Sequence, residues 1–140
     1  MRRRSLLAAL PWVLAAARAS AHSYALGSVE IGHPWARPTT AQLGTAYLVL
    51  AVEGANRDEL SAAQTPVADS VELRNAAGEA VPAIEILPKR PVVLRPGKPY
   101  LGLIGLKRAL KLGDSFPLTL HFAIAGEITV TVMVENTPVE

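Results

Sequence analysis

From Glu127 to Val134 the chain alternates strictly, with Ile128, Val130, Val132 and Val134 on one side and Thr129, Thr131 and Met133 on the other. A helix would scatter such a pattern around its circumference, whereas a strand collects it on two faces, so the segment predicts a half-buried strand. Phe116 to Phe122 repeats the pattern, placing Phe116, Leu118, Leu120 and Phe122 inward and Thr119 and His121 outward. The Ala125-Gly126 break between the two runs predicts an antiparallel hairpin. Further short extended segments are expected at Ser28 to Gly32, Ala46 to Val52, Asp69 to Arg74, Ala83 to Leu87, Val92 to Leu94 and Tyr100 to Leu106. Turn chemistry separates them at Gly54 to Asp58, Asn75 to Gly78, Arg95 to Pro99 and Lys111 to Asp114. With 11 prolines, 10 glycines, no amphipathic helix and no internal repeat, the mature chain reads as one all-β domain, an antiparallel β-sandwich or Greek-key barrel.

The first 21 residues have a different character. Arg2, Arg3 and Arg4 precede an apolar run from Leu6 to Ala17, and Ala19-Ser20-Ala21 is a small-x-small cleavage pattern. This predicts a signal peptide over 1–21, cut after Ala21, and a domain over 22–140. The apolar run is too short to span a bilayer as a helix, so no membrane anchor is expected after cleavage. The paired arginines leave both the general and the twin-arginine export routes open. Four of the 14 basic residues, Arg2, Arg3, Arg4 and Arg18, lie in this stretch, which has no acid. Residues 22–140 carry 10 cations against 12 acids and make no case for nucleic acid.

Cysteine is absent, which removes disulfides, thiol nucleophiles, zinc-thiolate sites and iron–sulfur clusters together. No GxSxG elbow, phosphate-cradling glycine loop or HExxH helix occurs, and the acids stand singly, each expected to be a solvated charge. The chain is therefore not expected to be an enzyme.

Several segments together carry a family resemblance: Ile31-Gly32-His33-Pro34-Trp35-Ala36-Arg37, Thr45 to Leu50, Val71-Glu72-Leu73-Arg74, Leu94-Arg95-Pro96-Gly97, Leu103 to Leu106, and Leu118 to Leu120. In order and spacing, from about Tyr24 to Val134, they resemble the PCu(A)C family of periplasmic copper chaperones. The resemblance implies a cupredoxin-like β-barrel in the periplasm that holds Cu(I) and delivers it to a respiratory oxidase. The implied partners are a copper-dependent oxidase subunit or another copper chaperone. Two His and two Met supply the family's ligands, and thioether sulfur suits a soft monovalent ion.

At those positions this sequence departs from its relatives. Arg74 stands where the first His is expected, and its guanidinium has no lone pair to offer. Tyr100 and Gly102 stand where the later His and Met are expected, and 75–87 contains no Met, His or Cys. Met133 is the one methionine besides Met1.

Three histidines remain. His121 is expected on the solvated face, and His33 is expected to cap or pack against Trp35. His22 would become the first residue of the cleaved chain, joining an α-amine to its imidazole in a chelate suited to Cu(II), with His33 or His121 as further donors. Two functions stay open: copper handling with a degenerate ligand set, and a metal-free periplasmic binding or scaffolding domain.

Overall fold

The computed structural model describes residues 23–136. The signal peptide expected over 1–21, and His22, lie outside the described residues. Ten strands form one sheet: β1 Ser23–Leu26, β2 Val29–Ala36, β3 Leu43–Val52, β4 Asp58–Gln64, β5 Ala68–Arg74, β6 Ile84–Ile86, β7 Val92–Val93, β8 Tyr100–Leu106, β9 Ser115–Phe122 and β10 Gly126–Val134. Their order across the sheet is β5-β8-β3-β2-β10-β9-β4-β6, with β1 added to β2 and β7 added to β3. The short 65–67 connection brings β4 against β5, so the sheet curls into a nearly closed barrel. Among these strands every pairing is antiparallel except β2 with β10, where Met133 lies beside Trp35 and Val134 beside Ala36.

The predicted hairpin is β9 and β10, paired from Phe122 with Gly126 to Ser115 with Met133. Its inward residues Phe116, Leu118, Leu120, Val130, Val132 and Val134 are all buried. On the outer face Thr119 and Thr129 share a hydroxyl hydrogen bond of 2.8 Å, a cross-strand pair of the kind that steadies register. From the other wall come Leu48 and Leu50 of β3 and Leu101 and Leu103 of β8, each almost fully removed from water. At about 1.5–3 kcal/mol per large apolar side chain, such positions supply most of the drive to close the barrel. The rings of Trp35 and Tyr47 stack 4.6 Å apart at 37°, and the Tyr47 hydroxyl donates to Thr45 Oγ1 at 2.7 Å.

All four predicted turns are present, each with a glycine at positive φ: Gly54, Gly78, Gly97 and Gly113. Two strands were not expected. β1 adds to β2, and β4 fills the place between β9 and β6. Asp58, read as the end of a turn, instead begins β4 and is 5% exposed. Its carboxylate accepts from the backbone N–H groups of Glu59 at 2.7 Å, Ile124 at 2.9 Å and Ala125 at 2.9 Å. The expectation of a solvated charge fails here because the β9–β10 turn needs an acceptor for its buried donors.

β2 also runs further than expected, to Ala36. It does so through an irregularity between Gly32 and Trp35, where His33 takes a left-handed conformation with φ 44°. A bulge of this kind adds a residue to one strand and redirects the following side chains.

Candidate functional site at the β5 and β8 pair

Strands β5 and β8 run antiparallel with Arg74 opposite Tyr100 and Glu72 opposite Gly102. Side chains two apart on a strand share a face, so these four positions form one square on the outside of the barrel. The alternate positions confirm the orientation: Leu73, Leu101 and Leu103 are buried in the core. The structure therefore brings together three positions that sequence reasoning singled out, Arg74, Tyr100 and Gly102.

Arg74 organises the square. One guanidinium nitrogen, Nη2, donates to the Glu72 carboxylate, and the other, Nη1, donates to the carbonyl of Gly78 at 2.6 Å. That carbonyl is held in place by the turn that follows β5. Gly78 N–H donates to the Asn75 carbonyl at 2.9 Å, and Asn75 Oδ1 accepts from the N–H groups of Ala77 and Glu79 at 3.0 Å each. With φ 87°, Gly78 takes a conformation that costs L-residues strain. A Cβ built there would lie 3.5 Å from the Tyr100 hydroxyl, which places the phenol beside the same turn. A Cβ built at Gly102 would lie 3.4 Å from Arg74 Nε and 3.8 Å from its Cδ. The arginine thus lies across Gly102, in the volume a side chain at that position would use.

This donor set does not fit a soft metal ion. Arginine has no free lone pair, glycine has no side chain, and a phenol offers a hard oxygen rather than the soft sulfur or imidazole such an ion prefers. The Glu72 carboxylate is a hard oxygen donor already engaged by Arg74. Sequence reasoning missed Glu72 and the Gly78 carbonyl as partners of Arg74. Strand alternation could have found Glu72, while the carbonyl depends on how the turn folds back.

The other candidate donors are dispersed. Met133 lies on β10, half-buried between its register partners Trp35 and Ser115, and three strands separate β10 from β5 in the sheet. His33 Nε2 is 3.4 Å from the Glu135 carboxylate, and His121 Nδ1 is 3.6 Å from Glu127 across the hairpin. His121 is half-buried rather than fully solvated. Among the described residues no group of three or more His, Cys, Asp or Glu side chains is placed to hold a metal ion.

The model of the LpqE-like family, described as LpqE-like lipoproteins, matches residues 29–134. The chain belongs to the LpqE-like family. Solved structures extend the likeness. The copper-bound PCuAC domain from PmoF2 is 29% identical, covers 81% of this chain and 97% of its own, and superposes with a TM-score of 0.75. The apo PCuAC domain from PmoF1 is 25% identical, covers 84% of this chain and 100% of its own, with a TM-score of 0.76. The Cu(I) form of DR1885 from Deinococcus radiodurans, at 24% identity, 89% and 87% coverage and a TM-score of 0.66, shares the fold. No curated protein sequence matches the chain. The chain thus has the cupredoxin-like β-fold expected from its sequence and is similar to the PCuAC domains.

Proposed function

We propose that this LpqE-like protein is a periplasmic member of the copper-chaperone lineage, exported by a cleaved 1–21 leader, in which the β5–β8 site has become a metal-free contact surface. It acts as a binding domain alongside copper delivery, facing a copper-dependent oxidase subunit or a ligand-complete copper chaperone, and it catalyses no reaction. One observation carries the reading: Arg74 lies across Gly102 and is held by Glu72 and the Gly78 carbonyl, in the place the family resemblance assigns to ligands. A partly buried arrangement of charge and carbonyl suits recognition of a protein surface, and arginine and tyrosine are prominent at such contacts.

The test is a pair of copper titrations of the chain beginning at His22, with Cu(I) under reducing conditions and Cu(II) under oxidising ones. The expected result is no Cu(I) binding tighter than micromolar. The Arg74→His, Tyr100→His, Gly102→Met triple variant, which restores three of the family's ligands, is expected to bind Cu(I) measurably tighter. Tight Cu(I) binding by the parent would refute the reading. The Cu(II) arm, repeated with His22→Ala, tests the N-terminal chelate: an equal affinity in both proteins removes His22 as a ligand.

A further inference from the structure

Among the described residues the barrel has an open seam. At the end of the sheet β6 pairs only with β4, and β7 pairs only with β3. A tight turn joins the two, with Arg90 N–H donating to the Leu87 carbonyl at 3.2 Å and Lys89 at φ 64°. Beyond it they diverge, leaving a groove of about 490 Å³ lined by Glu85, Leu87, Arg90, Val93, Arg95 and Lys98, among others. Leu94 N–H donates to the Leu48 carbonyl of β3 at 2.8 Å. Because successive residues of a strand point their backbone groups in opposite directions, the N–H and C=O of Val93 face the groove. Val93 is also one of the few large apolar residues left exposed, at 40%.

The charge around this edge is one-sided. Lys89, Arg90, Arg95 and Lys98 fall within ten residues that contain no acid, in a chain that has more acids than cations after residue 21. The one acid lining the groove, Glu85, is paired with Arg57. An open strand edge normally invites pairing, and its flanking charge selects what can approach. The geometry points to this seam as a docking groove for an extended acidic segment of a partner protein, added as a strand against β7 and held by Arg90 and Lys98. Backbone pairing supplies affinity, and the cations supply choice of partner. The inference rests on the seam alone and holds whether or not the domain carries copper.

The probe is a labelled, end-capped ten-residue peptide of alternating Glu and Val, with its Lys and Val counterpart as control, followed by fluorescence anisotropy with the purified protein. The acidic peptide is expected to bind at least about tenfold tighter than the basic one and to weaken about tenfold in Arg90→Glu/Lys98→Glu. Lys107→Glu/Lys111→Glu, outside the groove, is expected to leave binding unchanged. Val93→Pro, which removes the N–H facing the groove, is expected to weaken binding while the circular dichroism spectrum stays that of the parent. N-methylation of alternate peptide bonds in the probe makes the same test with the protein unaltered. Equal binding of both peptides, indifference to the Arg90/Lys98 reversal, or indifference to peptide N-methylation overturns the proposal. So does competition by millimolar inorganic phosphate, which would reveal a simple anion site, or a concentration-dependent dimer that excludes the peptide, which would make a second copy the occupant.

Discussion

Substitutions at Gly102 separate a site that is merely short of ligands from one that Arg74 physically fills. Gly102→Ala places a Cβ 3.4 Å from Arg74 Nε and 3.7 Å from the Glu72 carbonyl, ordinary contact distances that leave the arginine where it is. With unfolded-state freedom reduced, this variant should gain about 0.5 kcal/mol. Gly102→Met extends three more heavy atoms into the space of the guanidinium and must displace it. The charge-assisted bond to the Gly78 carbonyl is then lost, worth about 1.5 kcal/mol at a position this accessible. The pair with Glu72 adds about 0.5 kcal/mol, since both side chains are partly in water. Against the entropic gain, the expected net cost is about 1.5 kcal/mol. In an Arg74→His background nothing needs displacing and only the entropic gain remains, so the same methionine should stabilise by about 0.5 kcal/mol, a coupling of about 2 kcal/mol between the two positions. Urea unfolding followed by Trp35 fluorescence reads this directly, because Trp35 is buried and is the one tryptophan after residue 21. Equal cost of Gly102→Met in both backgrounds would refute the claim that Arg74 occupies the site.

Asp58→Ala leaves the N–H groups of Ile124 and Ala125 without their acceptor and should cost about 2–4 kcal/mol in urea unfolding, with Asp58→Asn intermediate; a loss below about 1 kcal/mol would mean water replaces the carboxylate. The Glu30 carboxyl is raised above its ordinary 4.5 by a side-chain hydrogen bond with Glu53, and secondarily by that group's charge. An acid that holds its proton more tightly when folded gives stability that is complete at low pH and declines as pH rises from about 4.5 through the raised value. Glu53→Gln removes the repulsion, so the melting temperature of the variant relative to the parent should climb across that interval; a constant difference from pH 4 to 7 would contradict the pairing.

Much of the barrel was legible because strands that are wet on one side write their orientation into alternation. The β9–β10 hairpin shows it in full, with every inward residue apparent from the spacing alone. β4 was illegible for the converse reason: Asp-Glu-Leu-Ser-Ala-Ala-Gln contains little that favours a strand, and its place is set by neighbours on both sides and by the Asp58 carboxylate. β1 is short and pairs with β2 alone. At the candidate site, the adjacency of Arg74, Tyr100 and Gly102 could be anticipated from the resemblance to the PCuAC domains. The arginine's partners could not, because a guanidinium chooses among acceptors by geometry, and the Gly78 carbonyl is aimed only after the Asn75 turn has closed.

The parallel pairing of β2 with β10 joins a strand near the start of the domain to its last one. Until Met133 and Val134 are available, the edge of β2 that will carry them stays bare, as does the facing edge of β9. A chain delivered from its N-terminal end, by a ribosome or through a membrane pore, must therefore wait for nearly its final strand before the barrel can close. Such long-range closure makes folding slow and leaves sticky edges exposed in the interval. Loss of residues 127–136 would then be felt less as a trimmed end than as a seam opened through the middle of the molecule.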